Sequence, residues 1–384
     1  MKPIYLDYNA TTPLDPAVSA AMEPFLREHF GNPSSMHAYG QTAHDAAVHA
    51  RAQVAGLLGA KPSEIIFTSG GTEATNHALK GVVLPALVPF RGEAVPHVIT
   101  STVEHPATSE TCSFLERVGC RITRVPVDRY GIVDLDVLEG ALRQPTLLVT
   151  VMHANNEVGT LQPISEIAKL AHEHGALVHT DAAQSAGKIR VNVDQLGVDM
   201  LSLAGHKMYA PKGVGALYVR EGVALEPLIH GAGHEGGRRA GTENVPYMVA
   251  LGAACEVAGR SLPLGTARLH ELRERLWARL HVELDERVVL NGHPEQRLPN
   301  TLSVNFIGWI GAELLAAVPE IAASTGSACH EGQVQLSPVL QAMGVPLDVG
   351  HGAVRLSVGR FTTEAEVDRA AEVLVARALA ATVR

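Results

Sequence analysis

No stretch of the chain approaches the about 18 uninterrupted apolar residues that mark a membrane-spanning helix, so no membrane span is expected. Lys and Arg gather into no stripe and the net charge is −9, which argues against a nucleic-acid groove. Cysteine is scarce: Cys112, Cys120, Cys255 and Cys329 are the only four, with no C-x-x-C pair and no zinc-type spacing among them. That leaves neither a disulfide framework nor a metal knuckle. The 19 histidines include no H-E-x-x-H pair, so no metal site is expected. Internal repeats and low-complexity segments are also missing. The N-terminal "MKPIYLDYNATTPLDP" has no apolar signal core, and the cytoplasm is the expected location. What is there is ordinary globular composition, 46% apolar and 18% charged over 384 residues, enough for a large core and two domains.

The middle of the chain alternates strands and helices. "EIIFT" (64–68), "HVITS" (97–101), "TLLVTVMH" (146–153), "ALVHTD", "DMLSLAG" and "GALYV" read as strands, and "PISEIAKLAHEHG" (163–175) as a helix with Pro at its start and Gly at its end. Alternation of this kind implies an α/β fold, a mainly parallel, doubly wound sheet covered on both faces. Beyond about residue 258 the pattern changes. A charged helix over 267–284 leads to the strands "RVVLNG", "TLSVNF" and "AVRLSVG", and a last helix opens at Thr363 with Glu366 three residues on, a capping box. The expected division is a large domain over 14–258 and a smaller α+β domain made of 1–13 and 259–384.

Ligands of parallel α/β sheets bind beyond the carboxyl ends of the strands. The residues there are polar: Gly70, Gly71 and Thr72; Glu104 and His105; Asn155, Asn156 and Glu157; Asp181 and Gln184; His206 and Lys207. "TSGGTE" brings two glycines to a strand-to-helix turn, where free N–H groups hold an anion, although Gly-Gly is also plain turn chemistry. Lys207 follows an apolar strand; a strand-end lysine commonly snorkels, but a desolvated one becomes a nucleophile toward carbonyls. Asp181 is placed to cap a helix or to keep a pyridine nitrogen protonated. His105 offers a flat ring for stacking. Phosphate cradle, ring partner, acid and lysine in that order form the pattern of a pyridoxal-phosphate enzyme.

Over essentially its whole length the chain resembles the class V aminotransferase superfamily, and within it the cysteine desulfurases of the NifS/IscS type and the selenocysteine lyases. The resemblance runs through "YLDYNATTPLDP", "FGNPSS", "FTSGGTEATN", "TVEHPA", "MHANNEVGTLQPI", "HTDAAQSAGK", "GHKMYAPKGVGALYV", "GAGHEGGRRAGTEN", "GSACHEG" and "VRLSVGRFTTEAEVD". It implies the type I fold of pyridoxal-phosphate-dependent transferases. By this resemblance Lys207 holds the aldehyde of pyridoxal 5'-phosphate covalently and moves protons at the substrate Cα. Asp181 pairs with the pyridine nitrogen, Gln184 bonds the phenolic oxygen, and His105 stacks on the ring and, as a catalytic residue, takes part in proton transfer. Gly71, Thr72 and His206 hold the phosphate, and Thr242 reaches in from a neighbouring subunit of a homodimer. Asn156 and Arg355 clamp the substrate carboxylate, a task that suits a planar guanidinium.

Cys329 lies in "STGSACHEGQ" (324–333), text that reads as loop because Gly and Ser are turn residues. The resemblance makes it the sulfur acceptor: its thiolate takes the substrate's sulfur as a persulfide, alanine leaves, and the sulfur passes to an acceptor protein such as an iron–sulfur scaffold or to a thiolation pathway. Gly326 and Gly332 are the expected hinges of that swing, and His330, when protonated, lowers the thiol pKa. Cys112, Cys120 and Cys255 read as packing residues. Two departures stand out. Ala204 replaces a serine that commonly bonds the phosphate, and "SACHEGQVQLSPVL" lacks the usual Ser/Thr-rich text, leaning toward the selenocysteine lyases. L-cysteine desulfuration is therefore the leading expectation. L-selenocysteine cleavage or mixed activity is the alternative, and a cofactor-holding scaffold without chemistry the remote one.

Overall fold

A computed structural model describes residues 2–87, 95–143, 146–330 and 333–380, with the backbone alone at 327–330 and 333–334. Its centre is a seven-stranded sheet. In spatial order the strands are Ile65–Thr68, Gly215–Val219, Met200–Ala204, Leu177–Asp181, Thr146–Thr150, His97–Ser101 and Arg121–Val125. All run parallel except Gly215–Val219, which is antiparallel to both neighbours.

Continuous apolar strand text follows from burial on both faces. Ile65, Phe67, Val149 and Val178 pack on one side, against residues such as Val54, Ile167 and Leu251 from three helices. Ile66, Val98, Leu148 and Met200 point the other way, onto Leu79 and Leu115. The carboxyl ends of the parallel strands therefore share one edge, and the turns that leave them carry the polar residues singled out above.

A second core gathers Leu6, Leu276, Val304, Phe306, Leu356 and Leu374 around a four-stranded antiparallel sheet. Its strand order is Ser324–Thr325, Ala353–Ser357, Thr301–Phe306 and Val288–Leu290. The capping box is formed: the Thr363 amide donates to Glu366 Oε2 at 2.8 Å, and the Glu366 amide donates to Thr363 Oγ1 at 3.2 Å.

Two expectations needed revision. The charged helix does not begin near 267; it is the second half of one 40-residue helix, Val245–Leu284, that runs through Gly259, Pro263 and Gly265. Its first half buries Met248, Leu251 and Cys255 in the large core, and its second half buries Leu272, Leu276 and Leu280 in the small one. Packing at both ends outweighs the local cost of these residues. The cysteine segment is not simply loop either. Ser327–His330 is a strand paired antiparallel with Gln333–Leu336. Gly and Ser are tolerated there because this hairpin is a separate two-stranded unit rather than the middle of a sheet.

Leu276 is fully buried in the small core. Leu276→Ala should lower unfolding stability by about 2–5 kcal/mol. A urea midpoint equal to that of the wild type would show that the helix does not carry this core.

Candidate active site

At the carboxyl edge of the large sheet lies a cavity of about 310 Å³. It is lined by Gly71, Thr72, His105, Asn156, Asp181, Gln184, His206, Lys207 and Arg355, together with Asn9, Met152 and Ala204 among others. The residues drawn from separate motifs thus converge, apart from two. Thr242 is exposed on the loop before the long helix and is not among the lining residues. The side chain of Cys329 lies outside the described residues; its backbone sits in the hairpin, opposite Val334.

Lys207 closes the short 3₁₀ turn Gly205–Lys207 that follows Met200–Ala204. Gly205 has to be glycine, since a Cβ there would come 2.9 Å from Val214 Cγ1 and 3.0 Å from the Val214 carbonyl oxygen. Nζ of Lys207 donates to the carbonyl oxygens of Asn9 at 2.5 Å and Ala10 at 2.7 Å. Burial pulls the amine down to about 8, and the Arg355 charge adds to this, while Asp7 and Asp181 oppose it.

Asp181 ends the strand Leu177–Asp181, and its Oδ1 accepts the Ala183 N–H at 2.9 Å. Burial pushes its carboxyl up; that amide and the cationic forms of His105 and Lys207 pull it back. No ion pair engages it among the described residues. His105 caps the helix Pro106–Arg117 by accepting the Ala107 N–H on Nδ1 at 3.1 Å. The neutral ring therefore carries its proton on Nε2, and burial lowers the pKa of the ring.

At the other end of the cavity the helix Gly71–Ala86 starts with Gly70 at φ 153° and no side-chain cap. Its first N–H groups are thus left for an outside acceptor. A Cβ on Gly71 would lie 3.2 Å from Ala204 Cβ, a close approach of two backbones. Ala204 presents only a methyl, so the hydroxyl missing from the sequence is missing from this wall. His206 shares a hydrogen bond with Thr11 Oγ1 at 3.2 Å, and burial, with Lys207 and Lys212 nearby, lowers it to about 4. The cradle is braced from outside: Glu73 takes the Ser69 N–H at 2.7 Å and pairs with Arg239 at 2.9 Å.

Arg355 arrives from the small sheet. It donates to the Asn156 carbonyl oxygen at 2.9 Å, to Asp7 Oδ1 at 2.7 Å and to Ser324 Oγ at 3.0 Å. Gly326, expected as a hinge, is instead held at both backbone groups: its N–H donates to the Ala353 carbonyl at 3.1 Å and its own carbonyl accepts the Ser337 N–H at 2.9 Å. The other expected hinge, Gly332, lies outside the described residues, as does the side chain of His330.

Three important residues were not assigned roles from the sequence. Asn9 is buried at the junction of the two cores and bonded through every polar atom. Lys188 is a buried lysine behind Gln184. Glu104 takes the Ser101 hydroxyl at 2.5 Å and the Met152 N–H at 3.0 and 3.1 Å, tying two strand ends together, and burial lifts it to about 8. Only Glu104, beside His105, carried a sequence signal, its place just past a strand.

These features suit pyridoxal phosphate. A lysine amine brought down to about 8, a buried carboxylate in no ion pair among the described residues, and an uncapped helix start behind a glycine turn face one cavity. They match an aldehyde, a pyridine N–H and a phosphate.

The architecture is that of the type I fold of pyridoxal-phosphate-dependent transferases. The chain belongs to the Aminotransferase class-V family, whose profile matches residues 4–370. It is 47% identical over 97% of its length to the cysteine desulfurase IscS of Dictyoglomus turgidum, of which 93% is covered. It is 44% identical, again over 97% of its length, to the mouse cysteine desulfurase, of which 80% is covered. Among solved structures, a NifS-like protein superimposes with a TM-score of 0.90 at 38% identity, covering 97% of this chain and 98% of that one. SspA in complex with cysteine gives a TM-score of 0.81 at 37% identity, covering 94% and 99%.

The amine of Lys207 should react with small aldehydes in the cofactor-free protein along a pH curve centred near 8. Reductive labelling across pH, followed by peptide mass spectrometry, reads this. A midpoint above 10, typical of a solvated lysine, would contradict the burial argument.

Proposed function

We propose that the chain is a pyridoxal-phosphate-dependent cysteine desulfurase that converts L-cysteine to L-alanine and keeps the sulfur as a persulfide on Cys329. The observation that carries this reading is the facing of Lys207 and Asp181 across one cavity, in a chain whose relatives at 44–47% identity are named cysteine desulfurases. When bound, pyridoxal phosphate supplies an electron sink that stabilises negative charge at the substrate Cα. Lys207 Nζ anchors it and moves the Cα proton. Asp181 keeps a positive charge on the pyridine nitrogen, His105 stacks over the ring, and Gln184 donates to the phenolic oxygen. Gly71, Thr72 and His206 hold the phosphate. Arg355 and Asn156 hold the substrate carboxylate and so fix which bonds at Cα and Cβ face the amine and the thiol.

The Cys329 thiolate attacks the sulfur of cysteine. A sulfur–sulfur bond forms, the Cβ–S bond breaks toward carbon, and a proton completes the methyl group of alanine. Enzyme thiol plus cysteine thus gives enzyme persulfide plus alanine, with no outside oxidant. The persulfide is then delivered to an acceptor protein, with iron–sulfur cluster assembly as the proposed destination in keeping with the IscS name of relatives. We place the active form as a homodimer in the cytoplasm. Thr242, exposed and away from its own cavity, completes the phosphate site of the neighbour. No helix among the described residues is long and apolar enough to cross a membrane.

The reading is tested by incubating the protein with L-cysteine and with L-selenocysteine, measuring alanine, and weighing the Cys329 peptide. Alanine from cysteine with an added sulfur on Cys329 supports it; alanine from selenocysteine alone identifies a lyase instead. Cys329→Ser should bind cysteine yet release no sulfide, and full sulfide output from that variant refutes the thiol's role. Arg355→Ala removes charge-assisted hydrogen bonds worth about 1.5–3 kcal/mol, so KM should rise about 10- to 150-fold. An unchanged KM means that Arg355 does not touch substrate.

A further inference from the structure

Behind Gln184 lies a lysine that no step above uses. Lys188 is 7% exposed, and burial, helped by the charges of Lys207 and Arg355, drives its pKa well down. No carboxylate pairs with it among the described residues. Its Nζ donates to Gln184 Oε1 at 2.8 Å and to Asn9 Oδ1 at 3.3 Å. A neutral amine has two N–H donors, and here two acceptors meet them. The turn makes this geometry. Gly187, at φ 76°, lets the chain fold back so that the lysine four residues on lies against Gln184, and Thr266 of the long helix ties down the Lys188 carbonyl at 2.7 Å.

The amide of Gln184 has two ends of nearly the same shape and opposite hydrogen-bonding character. Its Nε2 donates to the Asn9 carbonyl oxygen at 3.0 Å. Turning the amide over would take the oxygen acceptor away from the Lys188 N–H and set oxygen against the Asn9 carbonyl, an acceptor facing an acceptor. The orientation seen spends one N–H of Nε2 on the Asn9 carbonyl, and Gln184 itself lines the cavity. Asn9 is itself immobile: its side chain bonds Asn300 Nδ2 at 2.9 Å and Thr301 Oγ1 at 2.8 Å, and its N–H donates to Ser357 Oγ at 3.0 Å.

We infer that Lys188, with Asn9, is a positioning residue that locks the Gln184 amide so that its NH₂ faces the phenolic oxygen of the cofactor. This rests on the pyridoxal-phosphate reading of the cavity. A lysine suits the task because it donates in either protonation state and only the oxygen of an amide accepts, so its N–H favours oxygen over nitrogen at Gln184. An N–H donated to the phenolic oxygen favours the state in which that oxygen bears unshared negative charge.

The test is a pH titration of the visible absorbance of the full-length protein loaded with pyridoxal phosphate. In Lys188→Met the midpoint should move up by about one pH unit, the worth of one hydrogen bond to a charged group. Gln184→Met should move it equally, and the double variant should move no further. An additional shift in the double variant shows that Lys188 acts as a charge and not through the amide, and overturns the inference, as does an unshifted midpoint in Lys188→Met. Should Lys188→Met fail to fold, a neutron structure of the wild type decides: deuterons on the Gln184 atom nearer Asn9 support the lock, and deuterons on the atom nearer Lys188 overturn it. A wild type that takes up no pyridoxal phosphate and shows no visible band is a different failure, that of the proposed function itself.

Discussion

The half-buried amine of Lys207 is held against the carbonyl oxygens of Asn9 and Ala10, and the site is arranged around that constraint. An ammonium in such a place loses hydration that two carbonyl dipoles replace only in part, so the neutral form gains and the nitrogen lone pair becomes available. The carbonyls come from the N-terminal segment and not from the sheet that carries Lys207. Asn9 in turn is fastened to Thr301 and Ser357 of the four-stranded sheet and to Asn300 just before it. The reactivity of a lysine on the seven-stranded sheet therefore depends on how the small core is seated.

Charge around the cavity follows the same logic. Lys207, Arg355 and Asp181 line it together. Arg355 is itself steadied by Asp7, which also receives the Ser324 hydroxyl at 2.9 Å. Ser324 leads into the strand pair that bears Cys329. The guanidinium proposed to meet the substrate carboxylate is thus hydrogen-bonded to the root of the segment that carries Cys329. Gly326 is pinned through both backbone groups at that root.

Much of this arrangement was legible beforehand. The strands that end in Asp181 and Ala204 are apolar runs closed by polar residues, and burial on both faces makes such runs conspicuous. Lys207, Asp181, His105 and Gly71 then fall at strand ends, where a doubly wound sheet collects its ligands. What escaped notice depends on contacts between distant segments. Nothing local in "DYNATT" says that Asn9 will lie among Gln184, Lys188 and Asn300, and Lys188 reads as any turn lysine until its neighbours are known. Gly259, Pro263 and Gly265 are poor residues for a helix interior, and burial of the long helix in two separate cores overrides them. The strand at Ser327–His330 was hidden for a related reason, since its residues have turn chemistry and only cross-strand pairing makes it extended.

The most direct measurement is reduction with borohydride of the protein loaded with pyridoxal phosphate, followed by peptide mass spectrometry. A single phosphopyridoxyl group on Lys207, with Lys188 and Lys212 unmodified, is the predicted result. An adduct on another lysine, or none on Lys207 in a protein that binds the cofactor, contradicts the account.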